Sequence, residues 1–163
     1  MTDNDILRRI RYIFDYSDLK MIEIFGLGGE QVTREQISDW LKKEDDPAFQ
    51  ECSDPVLAIF PNGLIVSRRG EKEGEQPPPE RRLNNNIIFR KLKIALDLKA
   101  EDILAILALA DMRISKHELS AFFRKPGHKH FRECNDQVLR NFLKGVQLKY
   151  RGGPQTCAPD APP

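Results

Sequence analysis

Residues 49–63 read FQECSDPVLAIFPNG, and 82 positions later residues 131–145 read FRECNDQVLRNFLKG. Phe49, Glu51, Cys52, Asp54, Val56, Leu57, Phe60 and Gly63 recur as Phe131, Glu133, Cys134, Asp136, Val138, Leu139, Phe142 and Gly145. The shared pattern is F-x-E-C-x-D-x-V-L-x-x-F-x-x-G. Extended outward at the same offset, residues 4–70 align with 86–152 without a gap. Self-similarity at a fixed offset marks a duplicated structural unit, so whatever fold one copy adopts the other repeats.

The apolar spacing within each copy is helical. Ile6, Leu7, Ile10, Ile13 and Phe14 follow Asn4, and Ile88, Phe89, Leu92 and Leu96 follow Asn86; each asparagine is read as an N-cap. A second helix is expected at about 18–27 and 100–110. Its later version, ILAILALA, is apolar nearly all round and should be the most buried element. Thr33-Arg34-Glu35-Gln36 and Ser115-Lys116-His117-Glu118 fit a capping box that opens a third helix. Asp54-Pro55 opens a fourth, with Asp54 as the cap, and its counterpart opens at Asp136. Gly70 and Gly152 lie where a helix stop is wanted.

The expected fold is therefore all-α, a tandem duplication of a four-helix unit of about 70 residues, the two units packed about a pseudo-two-fold axis because so small a unit barely buries a core alone. The first repeat spans 1–70, a Pro/Glu-rich linker 71–82, the second repeat 83–153, and a proline-rich tail expected to be disordered 154–163. Pro61-Asn62-Gly63 falls inside the first copy's fourth helix and predicts a kink or break there, against a continuous helix at 136–150. Glycine inside a helix costs about 1 kcal/mol. Its recurrence as Gly63 and Gly145 predicts close backbone approach, with the junction of the two halves as a candidate place.

With 40% hydrophobic and 31% charged residues, the 163-residue chain has the composition of a globular protein. No apolar run approaches the roughly 18 residues of a membrane span, and the opening MTDNDILRR has no signal-peptide core. Three cysteines do not make a disulfide framework. A cytoplasmic protein is expected.

The helix starts Asp3-Asn4-Asp5-Ile6 and Asn84-Asn85-Asn86-Ile87, the doubled F-x-E-C-x-D signature and the Pro-rich linker resemble the bacterial YehS-like family of small uncharacterised proteins, over residues 1–152. That family is described as a duplicated domain of unknown function. The resemblance implies a cytosolic bacterial protein and transfers no activity, cofactor or catalytic residue.

Among the residues that carry chemistry, Glu51, Cys52 and Asp54 with Glu133, Cys134 and Asp136 stand out. A nucleophilic cysteine needs a base or a positive field. The first copy contains no histidine, so a repeated Cys-His dyad is excluded. The favoured reading is structural: Asp caps the fourth helix, Cys fills a small apolar site, and Glu pairs with a repeated arginine, Arg8/Arg90 or Arg69/Arg151. His128, His130 and Cys134, with His117 as a fourth ligand, make a weak zinc candidate, since the spacing matches no recognised finger. Gly26, Gly28 and Gly29 form a turn with no strand before it, and no nucleophile elbow occurs. No catalytic set and no cofactor emerge.

Charge is distributed unevenly. The net charge of +1 conceals 9 basic and 13 acidic side chains in residues 1–70, against 14 and 7 in residues 83–153. On the last helix Arg140, Lys144, Gln147 and Arg151 fall on one stripe. The second and third helices also resemble a helix-turn-helix, whose second copy carries Lys116, His117, Arg124 and Lys125 where phosphate would be met. These seven basic residues form a candidate polyanion surface. The expected function is a non-catalytic binding or regulatory adaptor with a protein partner; the alternative is DNA or RNA binding through the second repeat.

Overall fold

The structure is a computed structural model, described here for residues 1–70 and 78–151. Within them the chain forms α1 (Asp3–Phe14), α2 (Asp18–Leu27), α3 (Arg34–Leu41), α4 (Asp54–Arg69), α5 (Asn85–Ala95), α6 (Ala100–Leu109), α7 (Lys116–Phe122) and α8 (Asp136–Tyr150), with no strand among the described residues. The chain divides into two compact units, Met1–Leu83 and Asn84–Pro163, each holding four helices in the same order. The fold is all-α, a duplicated four-helix unit. The expected tail, Gly152 and Cys157 lie outside the described residues, as does most of the linker.

Helix starts sit earlier than the apolar pattern suggests. Thr2, not Asn4, caps α1, accepting from the Asp5 N–H while the Asp5 carboxylate accepts from the Thr2 N–H. Asn84, not Asn86, caps α5. Ser53 and Asn135 occupy the cap positions of α4 and α8, so Asp54 and Asp136 are the first helical residues. Asparagine competes for caps and for interior clamps with the same donor and acceptor groups, and only tertiary partners decide between them. The capping boxes Thr33/Gln36 and Ser115/Glu118 form as expected, and Gly70 ends α4 at φ 83°.

α2 packs chiefly on α4, and α6 on α8. In the first unit Phe25 lies 5.5 Å from Trp40 and 5.0 Å from Phe60, ring centre to ring centre. In the second, Phe89 lies 4.5 Å from Phe142 and 5.0 Å from Phe123. Leu7 and Phe25 of the first unit correspond to Phe89 and Leu107 of the second, and all four are fully buried. The large ring has moved from α2 to the first helix of the repeat with core volume conserved, the kind of exchange that cores tolerate best.

Three expectations require correction. α4 does not break: it runs from Asp54 to Arg69 with the buried Pro61 inside it. A proline removes one intrahelical hydrogen bond, and α4 packs on α2 along the stretch that contains it. α6 is not buried all round: Ile103, Ile106 and Leu107 face the core, while Ala105 and Ala108 are exposed and Leu109 is 50% exposed. Finally, the close approach at the repeated glycine lies within each unit. A Cβ on Gly63 would strike the Ile24 carbonyl oxygen of α2, and one on Gly145 the Ile106 carbonyl oxygen of α6.

Candidate functional site

The repeated cysteine is held by the repeated asparagine. In the first unit the Asn4 side chain donates to the carbonyls of Trp40 and Gln50, each at 2.9 Å, and accepts from the Cys52 N–H at 2.9 Å. In the second, Asn86 donates to Phe122 and Arg132 at 2.9 and 2.8 Å and accepts from the Cys134 N–H at 2.9 Å. One buried amide thus ties the first helix to the end of the third and to both sides of the Phe-x-Glu-Cys segment. A buried amide with three satisfied groups specifies geometry, because any slip leaves a polar group unpaired. The sequence carried this signal: Asn4 and Asn86 share the offset of the cysteines.

The thiols are correspondingly inert. Cys52 is 3% exposed and Cys134 5%. Burial pushes both thiols up to about 12, with the nearby Asp3 and Asp54 adding to the effect at Cys52 and Asp136 at Cys134. A nucleophile or metal ligand requires the thiolate, and these environments oppose it. Cysteine fills a small apolar site, as its pattern suggests.

The repeated aspartate does not cap its helix. Asp54 accepts from the Leu83 N–H at 2.9 Å and is hydrogen-bonded to Asp3. Two carboxyl groups in contact share a proton. Burial, then the Asp54 hydrogen bond and the charges of Asp54 and Glu51, raise Asp3 to about 7, while the hydrogen bonds from Asp3 and Leu83 and the charge of Arg82 lower Asp54. The second unit makes the same link with an amide: Asn85 donates to Asp136 at 2.8 Å and to the Cys134 carbonyl at 3.0 Å. Protonated Asp3 does in one unit what Asn85 does in the other. Around each link lies a shallow pocket, about 370 Å³ in the first unit and 360 Å³ in the second, walled by Asn4, Glu51 and Cys52 or by Asn86, Glu133 and Cys134.

The expected pairing of Glu51 and Glu133 with arginine does not form among the described residues. Both glutamates are exposed, and Arg8 pairs with Asp5 at 2.9 Å. A neighbour one helical turn away on the same helix is the nearer partner. Nor do His128, His130 and Cys134 converge. His130 lies between His128 and His117, at ring separations of 5.5 and 6.4 Å, while Cys134 is buried beneath the asparagine clamp. No group of three metal-ligating side chains capable of holding an ion occurs among the described residues.

The basic residues of the second unit face solvent. Lys116, His117, Lys125, Arg140 and Lys144 are exposed, and Arg124 and Arg151 are half-buried. Arg140 and Lys144 stand one turn apart on α8. Lys116 is tied to Glu101 at 2.8 Å. Arg124 keeps a buried Nε without a hydrogen-bond partner among the described residues; its counterpart Lys42 bonds Asp39 at 2.9 Å, and the position of Asp39 is Ala121 in the second unit. A groove of about 400 Å³ between α7 and the following loop is lined by His117, Glu118, Lys129, His130, Phe131 and Arg132. Lys129, Phe131 and Arg132 were not singled out from the sequence as binding residues, because the loop that brings them to α7 has no helical periodicity to place them.

Two all-α units, each locked by a buried asparagine over a buried cysteine, define a duplicated helical scaffold. The chain belongs to a family described as protein of unknown function (DUF1456), whose model matches twice, at residues 3–70 and 85–152. It is 50% identical over 150 residues to a protein of Escherichia coli (strain K12) named "Uncharacterized protein YehS", covering 91% of this chain and 96% of the relative. No solved structure matches the chain. No helix among the described residues is long and apolar enough to cross a membrane.

Proposed function

We propose that the protein is a cytoplasmic, non-catalytic binding module, a regulatory adaptor whose partner-facing surface lies on the second repeat. The observation that carries this reading is the contrast between what the two repeats keep and what they change. The asparagine and cysteine that could suggest chemistry make the same buried link in both units, and the aspartate bonds the residue before that asparagine in each, which supports a scaffold role. The charge, by contrast, differs, acidic in the first repeat and basic in the second, and exposed residues that differ on a retained framework are where a binding function is carried. Affinity capture with the full-length chain tests it: a specific partner retained by the native protein is expected to be lost from the Arg140→Glu/Lys144→Glu variant. Capture that is unchanged by the charge reversal, or no specific partner at all, would sink the adaptor reading.

A second reading is nucleic-acid binding by the same face, favoured by the exposed Arg140 and Lys144 one turn apart on α8. Phosphate contacts release counterions, so such binding weakens steeply with salt. Titration with DNA and RNA oligonucleotides across a salt series is expected to show that slope, and Arg140→Ala/Lys144→Ala to reduce it. Absence of binding at low salt removes the reading.

A further inference from the structure

We propose that the groove of the second unit between α7 and the loop at 129–132 is a binding site for a phosphate monoester. The inference deepens the reading that the second repeat carries the ligand-facing surface, without depending on which macromolecule that surface meets. Its main support is a comparison within the molecule. The framework of the groove is common to both repeats. The Arg132 N–H donates to the Ala121 carbonyl at 3.1 Å, as the Gln50 N–H does to the Asp39 carbonyl at 3.1 Å. The turn before it is closed by His128 N–H to Lys125 and Phe131 N–H to His128, matched by Asp46 to Lys43 and Phe49 to Asp46. The buried asparagine anchors both loops through the Arg132 and Gln50 carbonyls.

The lining of that common framework is where the repeats part. His117, Lys129, His130 and Arg132 stand at positions held by Glu35, Pro47, Ala48 and Gln50 in the first repeat, and Ala121 replaces Asp39. Five of the six lining changes remove negative charge or add a cationic or imidazole group; the sixth, Gln36 to Glu118, adds a carboxylate that faces Arg132 and His117. Glu118 is the only carboxylate among the lining residues. The Lys129 side chain makes no ion pair or hydrogen bond among the described residues, and His117, Lys129, His130 and Arg132 are all exposed around the groove. Two fixed cations and two imidazoles converging on a concave site suit a compact dianion better than an extended diester strand, since lysine, arginine and imidazolium all supply charge-assisted hydrogen bonds to phosphate oxygens. Ala121 and Phe131 give the groove an apolar side for the substituent that carries the phosphate.

Amide and imidazole NMR shifts of the full-length protein at low ionic strength provide the test, with inorganic phosphate, a nucleoside 5′-monophosphate, the unphosphorylated nucleoside and a 5′-hydroxyl oligonucleotide as probes. Phosphate and the monophosphate should produce saturable shifts at 117–121 and 129–132 and leave 35–39 and 47–50 unmoved. The nucleoside alone should not. His130→Ala/Arg132→Gln installs the residues the first repeat already carries, so folding is retained. It should weaken the monophosphate by at least about tenfold, the effect of losing charge-assisted hydrogen bonds. Shifts that never saturate, that spread over the whole basic face, or that survive the double substitution overturn the site. Oligonucleotide binding that depends on Arg140 and Lys144 while phosphate leaves the groove unmoved overturns the groove alone and keeps the broader reading.

Discussion

Asn4 and Asn86 each tie distant parts of one unit together with a single buried amide. Each makes three hydrogen bonds to backbone groups 36 to 48 residues further along the chain. Removing the amide leaves a buried N–H and two carbonyls without partners, at about 1–3 kcal/mol for each group stranded. Asn86→Ala should therefore lower the stability of the full-length protein by about 3 kcal/mol in urea unfolding, whereas Asn85→Ala, at a half-buried neighbour, should cost less. The proton shared by Asp3 and Asp54 gives a second expectation at this scale. Asp3 is raised in the folded protein, so the folded state holds a proton that the unfolded chain has released between about pH 4 and 7. Its contribution to stability is full below pH 4 and is lost as the pH rises to about 7. Asp3→Asn, which copies Asn85, should match the native melting temperature near pH 4 and exceed it above pH 7. The buried thiols give a third. Cys52 and Cys134 should resist alkylation by iodoacetamide at neutral pH until denaturant is added, as mass spectrometry of the labelled peptides would show.

At the scale of elements, the α2–α4 and α6–α8 crossings decide the shape of each unit. Gly63 and Gly145 let backbone meet backbone where a methyl group would strike a carbonyl oxygen. Gly145→Ala should lose about 1–3 kcal/mol of stability by overpacking, despite alanine's advantage of about 1 kcal/mol in helix propensity. A thermal melt of the variant at or above the native temperature would contradict the close crossing. The helix positions and the repeated glycine were legible in the sequence, because apolar spacing and helix-breaking residues are local signals. The partner of the glycine was not. A repeat says that a contact occurs twice and does not say whether it lies within a copy or between copies. The same limit applies to Pro61: a proline in a helix is a local signal, whereas α4 runs through it without a break and packs on α2, more than 30 residues away.

At the scale of the whole molecule, each unit has its own buried core, and the two were filled differently, with Phe25 and Leu7 in one and Leu107 and Phe89 in the other. Helical units of this size sit near the lower limit of independent stability. A fragment ending at Leu83 should still give a cooperative helical melt by circular dichroism, at a temperature below that of the full chain; a non-cooperative, largely unfolded fragment would contradict two self-contained cores.

Periodicity, capping chemistry and charge are written in neighbouring residues, so the duplication, the all-helical class, the third-helix capping boxes and the contrast of an acidic with a basic copy are legible in the chain. Helix packing makes Asn4 and Asn86 clamps rather than caps, brings the Asp3 carboxyl against Asp54, and sets Lys129, His130 and Arg132 with His117 around a groove. Each of those depends on groups brought together from different helices or loops. A hydrogen bond or a shared charge depends on distance in space, and only the packed helices set that distance.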